Sequence, residues 1–489
     1  MKILIITCYE PIVESDVLTT ELKHAMQTIP GLNERIAKEK NGKKILHIKY
    51  PQSLNGLILA TELENSGIDF ELVNGQSFED FMNKSYEDSY THILVSTTYI
   101  HSIEYLKKVL SHIRKHFSSK IIVGGPFIFN NKEVISLDDA DVLIFGDGEE
   151  AVVSAINGEE HIGVVYKKEN KFESDFTPNI VDINNSQFIN WNNFFRNIPD
   201  ELVTTYKEEY AFPIETMRGC PFKCAFCNYG SFHDSVRFKS AERIVAEIER
   251  LAQFGVKNIG IWDSNFTFPK SRLLDVCKLI IEKGLDYMNF SSYARLTDLD
   301  EEVLESLEKA GFSMLYLGVE SANNEILKKM NKGTSKELIY DKMTLLKKYN
   351  FVTWCSFIVG FPGETKETIK ETFNLIKELK IDYLNLQVLQ VRYGSKLHIE
   401  PERYGLTYTM ENRQAYSWKH NTMNSEEAVE YALDFFCKIA EETDSLCLEN
   451  IMNVSNIPRE FPPYHSKKNK ELLLFIQKKM SEIIRNKKI

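Results

Sequence analysis

Long apolar runs are missing from this sequence: nowhere do about eighteen or more apolar residues follow one another, so no membrane-spanning helix is expected. Cysteine is scarce. Eight occur among 489 residues and five of them stand singly, which excludes a disulfide-stapled framework. No concentrated block of lysine and arginine interrupts a net charge of -11, so the cationic surface that nucleic acid requires is not expected. Nor is there a His-Glu-x-x-His pattern. His112 and His116, four apart on an expected helix, therefore read as a solvated basic face. The opening Met1-Lys2-Ile3-Leu4-Ile5-Ile6-Thr7 has one lysine and an apolar run that suits a buried first strand better than a secretory signal, and a cytoplasmic protein is expected. With 43% hydrophobic and 26% charged residues, 489 residues exceed the usual reach of one core, and two or three globular domains are expected.

Chemistry is concentrated in one short segment. Cys220, Cys224 and Cys227 stand in Met217-Arg218-Gly219-Cys220-Pro221-Phe222-Lys223-Cys224-Ala225-Phe226-Cys227 with the spacing C-x3-C-x2-C. Three soft, anionic thiolates at this spacing can wrap three corners of a 4Fe-4S cubane and leave the fourth iron open to a substrate. Buried or zinc-bound thiols are the alternative. The nearest other cysteine, Cys277, lies fifty residues beyond Cys227, so no compact four-thiolate zinc site is completed locally. An exposed cluster of this kind needs reducing, low-oxygen surroundings.

This spacing, with Phe226 just before the third cysteine, resembles the radical S-adenosylmethionine (SAM) superfamily. The resemblance implies that Cys220, Cys224 and Cys227 hold a 4Fe-4S cluster whose open iron is chelated by SAM. It also implies reductive cleavage of the sulfonium to a 5'-deoxyadenosyl radical. Phe226 is then expected to pack beside cluster and adenine.

Residues 1–166 alternate short apolar runs with helical periodicity, the pattern of a doubly wound, Rossmann-like α/β domain. Strands are expected at Ile3 to Thr7, Phe70 to Val73, Ile93 to Ser96, Ile121 to Val123 and Val142 to Phe145, with helices at Leu57 to Ser66 and Ile103 to Lys115. Ligands of such sheets sit beyond the carboxyl ends of the strands. There the sequence clusters Ser96-Thr97-Thr98, Gly124-Gly125-Pro126 and Gly146-Asp147-Gly148-Glu149, and glycine permits close backbone approach to a ligand. Physics alone reaches a ligand crevice. These pieces, with Leu54-Asn55-Gly56-Leu57-Ile58-Leu59-Ala60 and Ile162-Gly163-Val164-Val165-Tyr166, resemble in order the cobalamin-binding domain of one radical SAM branch. The resemblance implies Ser96, Thr97, Gly124, Gly125, Pro126, Gly146, Gly148 and Glu149 as cobalamin-side residues. The Asp-x-His-x-x-Gly loop of other cobalamin proteins is absent, since Cys8-Tyr9-Glu10-Pro11 follows the first strand, so no histidine from that motif is expected beneath cobalt. The charged stretch Glu14 to Lys44 is expected to be a helical insertion over the crevice or an oligomer contact.

Residues 167–210 lack a sustained period and read as a linker. Residues 211–397 then resemble a partial (β/α)6 radical SAM barrel, with strands at Phe212 to Thr216, Asn258 to Asp263, Met288 to Ala294, Met314 to Val319, Thr353 to Val359 and Tyr383 to Val391. Barrel chemistry sits at carboxyl strand ends, and the cysteine loop follows the first strand. The resemblance implies SAM contacts from Asp263, Ser264, Asn265, Arg295, Glu320, Ser321 and Gly360 at successive strand ends. Cys355, on the fifth strand, is a hydrogen-atom donor only if its thiol faces the cavity. Cys437 and Cys447 read as single buried thiols, and 398–489 as a helical C-terminal cap that shapes the substrate pocket.

The leading expectation is a cobalamin-dependent radical SAM C-methyltransferase acting on an unactivated carbon of a peptide or natural product through a 5'-deoxyadenosyl radical and methylcobalamin. Three alternatives stay open: a cobalamin-dependent cyclase, ring-rearranging or oxidising enzyme without methyl transfer, a cobalamin-free radical SAM epimerase, and a non-catalytic cobalamin or redox sensor. A methylthiotransferase is disfavoured because Cys8 stands alone where that branch has a second three-cysteine set. A small-molecule or peptide substrate and an external electron donor such as flavodoxin or ferredoxin are implied.

Overall fold

The computed structural model describes residues 1–10, 17–29, 52–86, 89–100, 102–129, 137–169, 171–173, 176–196, 198–231, 235–411, 414–447 and 467–487. Contacts divide the chain into two compact units. The first comprises Met1–Val13, Ile48–Asp200 and Ser231–Arg237; the second comprises Glu14–His47, Glu201–Gly230 and Phe238–Ile489. The expected linker 167–210 thus divides near Asp200, and residues 398–489 group with the barrel.

The first unit holds a seven-stranded sheet of β1 (Lys2–Tyr9), β2 (Asp69–Ser77), β3 (His92–Ser96), β4 (Lys120–Gly124), β5 (Val142–Ile144), β6 (Val164–Lys168) and β7 (Lys171–Phe172). Its order is β2-β1-β3-β4-β5-β6-β7. Strands β1 to β5 pair in parallel and β6 and β7 add antiparallel edges. Alternation along β1 sends Leu4, Ile6 and Cys8 to one face, where they join Leu106, Val109, Leu110 and Ile113 of the helix Ile103–His116 in one core. That helix starts where Ser102 accepts from Tyr105 N, and its apolar residues recur at three and four. The opposite face receives the helix Leu54–Asn65, so close that a Cβ at Gly56 would stand 2.6 Å from Thr7 Oγ1. Helices on both faces make the sheet doubly wound, with its order reversing between β1 and β3.

The second unit is built on an all-parallel six-stranded sheet: β8 (Ala211–Ile214), β11 (Asn258–Ile261), β12 (Asn289–Ala294), β13 (Phe312–Glu320), β14 (Val352–Val359) and β15 (Tyr383–Val388). Neighbours follow chain order from β8 to β15, the arrangement of a partial (β/α)6 barrel. Short strands β9 (Met217–Arg218) and β10 (Arg237–Phe238) pair beside it. A small antiparallel sheet of β16 (Val391–Arg392), β17 (Thr407–Glu411) and β18 (Gln414–Lys419) follows, and its last two strands lie in the region expected to be helical. Thr407, Tyr408, Thr409, Tyr416 and Trp418 carry the β-branched and aromatic preference that a helical reading overlooked. The helices Ser425–Glu442 and Lys467–Lys487 follow. Pro462 and Pro463, adjacent prolines that a continuous helix does not accommodate, lie outside the described residues. Within Glu14 to Lys44, the helix Val17–Gln27 buries Leu18, Leu22, Ala25 and Met26 and packs on those two C-terminal helices, so its described part belongs to their core.

Candidate active site

The cysteine loop leaves β9 through Gly219, whose φ of 85° is a conformation glycine adopts without strain. Ser264 Oγ donates to Gly219 O at 2.8 Å, Ala225 N donates to Met330 O at 2.8 Å, and Asn331 Nδ2 donates to Lys223 O at 2.7 Å. Leu397 N closes the set on Ala225 O at 3.2 Å. The loop is therefore fixed from four directions. Cys220 and Cys224 are partly exposed and Cys227 is exposed, whereas Cys8, Cys277, Cys355, Cys437 and Cys447 are buried. Thiolate ligands must be accessible to a cluster, and only the loop provides three such groups together. Among the described residues no three His, Cys, Asp or Glu side chains converge on one ion position. A cubane does not ask for that, since each thiolate binds a different iron.

Beside the loop, the Arg295 guanidinium lies 3.6 Å from the centre of the Phe222 ring and sets Nη1 3.8 Å from Cys224 Sγ. Its Nη2 donates to Lys332 O at 2.5 Å. Lys332 Nζ in turn pairs with Glu320 Oε1 at 2.8 Å, in a pair whose side chains keep only 12% and 6% of their exposure. Ser356 Oγ donates to Glu320 Oε2 at 3.1 Å. Glu320 has a φ of 69° at a bulge between Gly318 and Glu320, and a Cβ at Gly318 would stand 2.5 Å from both Glu320 Oε1 and Lys332 Nζ. A non-glycine residue in this region costs on the order of 1–3 kcal/mol and persists where its surroundings over-determine it. Arg295 and Glu320, charges of opposite sign at successive strand ends, are joined through Lys332. Sequence reasoning missed that lysine, although Asn331 at φ 54° and Gly333 at φ 70° flank it as a turn signal.

Asp263 is buried at the end of β11 and accepts from Thr216 N at 2.9 Å and from the Thr216 hydroxyl. Burial pushes its carboxyl up to about 6. Arg272 Nη1 donates to Thr216 O at 2.9 Å, so Asp263 and Arg272 together fix the strand exit that feeds the cysteine loop. Asn265 Nδ2 donates to Asp298 Oδ2 at 2.8 Å, and Ser321 is wholly buried, its Oγ accepting from Asn323 N at 3.2 Å. Phe226 is half-buried, with Lys332 Nζ 5.7 Å from its ring centre.

Gly360, at φ 93°, donates its N–H to Glu364 Oε2 at 2.6 Å. Burial pushes the Glu364 carboxyl up to about 8. A raised folded value means that the stabilisation from the neutral carboxyl is complete below the ordinary 4.5 and is lost as pH rises through about 8. The span corresponds to at most about 5 kcal/mol. Glu364→Gln keeps a neutral side chain at every pH, so its melting temperature should fall less than the wild type's between about pH 5 and pH 8.5.

Strand register settles the facing of Cys355. Trp354 stacks toward Tyr316 and Ser356 reaches Glu320, so Cys355 between them points to the opposite side of β14, opposite Leu317 and Leu384. It is fully buried there, and burial holds its thiol far above the usual range. It does not face the residues around the cysteine loop.

In the first unit, Thr97 donates to Gly124 O through N at 2.8 Å and through Oγ1 at 2.9 Å, and a Cβ at Gly125 would meet Thr97 Oγ1 at 2.9 Å. Ser96, Thr97, Gly124 and Gly125 are thus brought together, and Pro126 opens the short helix Pro126–Phe129. Asn55 Nδ2 donates to Thr98 Oγ1 at 2.6 Å across the reversal between β1 and β3, and Asn74 Oδ1 accepts from Ser53 N at 2.6 Å. Tyr9 and Tyr99 stack there with ring centres 3.8 Å apart. Gly146 needs its φ of 86° because Asn179 crosses it, and an added Cβ would stand 2.1 Å from Asn179 O. Gly148 lies against Leu59, and Glu149 is buried.

Residues 214–376 match the radical SAM superfamily. A protein of Pyrococcus horikoshii named as an uncharacterized methyltransferase is 27% identical over 369 residues, covering 70% of this chain and 77% of its own. The anaerobic magnesium-protoporphyrin IX monomethyl ester cyclase of Cereibacter sphaeroides is 29% identical over 264 residues, covering 50% of this chain, which spans only 42% of the cyclase. OxsB, solved as a cobalamin-dependent SAM radical enzyme with aqua-cobalamin and SAM bound, aligns over 99% of this chain and 71% of its own with a TM-score of 0.66 at 14% identity. The methyltransferase TsrM of Kitasatospora setae, solved with cobalamin and a 4Fe-4S cluster, aligns over 74% of this chain and 78% of its own with a TM-score of 0.59 at 16% identity. At these identities the likeness is one of fold. No helix among the described residues is long and apolar enough to cross a membrane. Residues 214–376, with their three-cysteine loop at the carboxyl ends of a parallel barrel, are a radical SAM domain, and the chain is an enzyme of that superfamily, which works with a 4Fe-4S cluster and SAM.

Proposed function

We propose that the chain is a cobalamin-dependent C-methyltransferase that acts on an unactivated carbon of a peptide or natural-product substrate. The observation that carries this reading is the presence, in one chain, of an accessible three-thiolate loop on a parallel barrel and a doubly wound sheet whose order reverses at a polar crevice. Cys220, Cys224 and Cys227 would hold the cluster, and the crevice around Ser96, Thr97, Asn55 and Gly125 would hold cobalamin. When bound, these groups supply an electron for SAM cleavage and a carrier for a methyl group. The chain's own residues position the parts. Arg295 sets a positive charge beside Cys224 and so offsets the anionic sulfur set, Ser264 fixes the loop backbone, and Lys332 with Glu320 holds the bulged end of β13.

A cyclase or oxidising outcome is the second reading, favoured by the identity to the protoporphyrin cyclase over half the chain. The buried, averted Cys355 argues against an epimerase that uses it as hydrogen donor. An external flavodoxin- or ferredoxin-type protein would supply electrons. The test is anaerobic incubation of cluster- and cobalamin-loaded protein with SAM and a strong reductant. Methyl transfer predicts both S-adenosylhomocysteine and 5'-deoxyadenosine, deoxyadenosine alone transfers the assignment to the cyclase reading, and neither product rejects both.

A further inference from the structure

We propose that an aromatic row on one face of the barrel sheet is a stacking floor for a planar aromatic ring of the substrate, an inference that rests on reading this site as the active site. Register creates the row: Tyr293 stands opposite Tyr316, and Tyr316 opposite Trp354, with ring centres 5.0 and 5.1 Å apart. On β11, Gly260 pairs with Ser291, so the chain's alternation brings Trp262 to the level of Tyr293. A Cβ at Gly260 would stand 2.6 Å from the Trp262 ring, so the missing side chain is what allows the indole to lie flat over the strand.

The row shares its face with the groups around the cysteine loop. Gly318 and Ser356 follow Tyr316 and Trp354 by two residues, and both touch the Glu320–Lys332 pair. Arg295 follows Tyr293 by two and reaches Cys224. A filled barrel interior buries its layered side chains against one another. Here Trp262 keeps 43% and Tyr293 44% of their surface, one layer below those groups. Trp262 and Tyr293, exposed on the face that carries those groups, suit a flat π-system, which gains offset stacking beyond simple area burial, better than a branched aliphatic chain.

The test uses full-length, cluster-loaded protein and two neutral probes, naphthol and its saturated counterpart decalol, with affinities from ligand-observed NMR under anaerobic conditions. Naphthol should bind the wild type more tightly than decalol does, and its affinity should fall about tenfold in Trp262→Ala and in Tyr293→Ala while Trp262→Phe retains most of it. Circular dichroism checks that each variant is folded, and the phenylalanine variant supplies the readout if an alanine variant is not. Equal affinity for both probes, or naphthol binding unchanged across the variants, overturns the floor. SAM cleavage by the same wild-type preparation is measured in parallel: its absence overturns the radical reading, whereas the probe pattern speaks to the floor alone.

Discussion

Cys224→Ala is expected to lower 5'-deoxyadenosine formation from SAM by more than about 100-fold, because loss even of groups behind a metal's ligands commonly costs tenfold to a hundredfold. The cubane would keep two protein thiolates and lose the one beside Arg295, whose Nη1 stands 3.8 Å from that sulfur. Alanine cannot replace a soft anionic ligand. Cys224 is only partly buried and the loop's backbone bonds come from Ser264, Met330, Asn331 and Leu397, so the fold should survive, as circular dichroism would confirm. Cobalamin retention should be nearly unchanged, since the crevice proposed for it belongs to the other unit. A variant that keeps more than about a tenth of wild-type cleavage would remove Cys224 from the ligand set.

Glu320→Ala is expected to destabilise the second unit by about 3–5 kcal/mol, the usual effect of breaking a buried ion pair from one side. Lys332 would be left with most of its surface buried and its carboxylate partner gone, and Ser356 would lose its acceptor. The left-handed residue at the bulge would also lose the contacts that hold it. Denaturant titration measures the loss. The double change Glu320→Leu with Lys332→Met should recover most of it, because two apolar groups leave no unpaired charge. SAM affinity should nevertheless stay low in the double variant, since the bulge beside the cysteine loop is no longer pinned. Additive losses in the double variant would show that the pair is not coupled.

The strands were legible because each packs as a short apolar run, and all six barrel strands fall where the runs predicted them, from Phe212 to Tyr383. The cysteine loop was legible for a different reason: its ligands are local, so spacing alone carries the geometry. What stayed hidden depends on partners far along the chain. Lys332 meets Glu320 only because a bulge turns that carboxylate back, and Arg272 meets Thr216 across fifty-six residues. No period encodes such pairs. The facing of Cys355 needed register, which sequence leaves free, and the sheet β16–β18 was concealed by flanking helices with stronger patterns. The helix Val17–Gln27 read as an insertion because its apolar stripe matches nothing nearby in sequence; its partners are the last helices of the chain.

Mössbauer spectroscopy of anaerobically reconstituted, iron-57-labelled protein should show a 4Fe-4S cluster in which one iron changes its signal when SAM is added while the others keep theirs. Four irons unmoved by SAM, or zinc bound where iron should be, would contradict a cubane with one open iron.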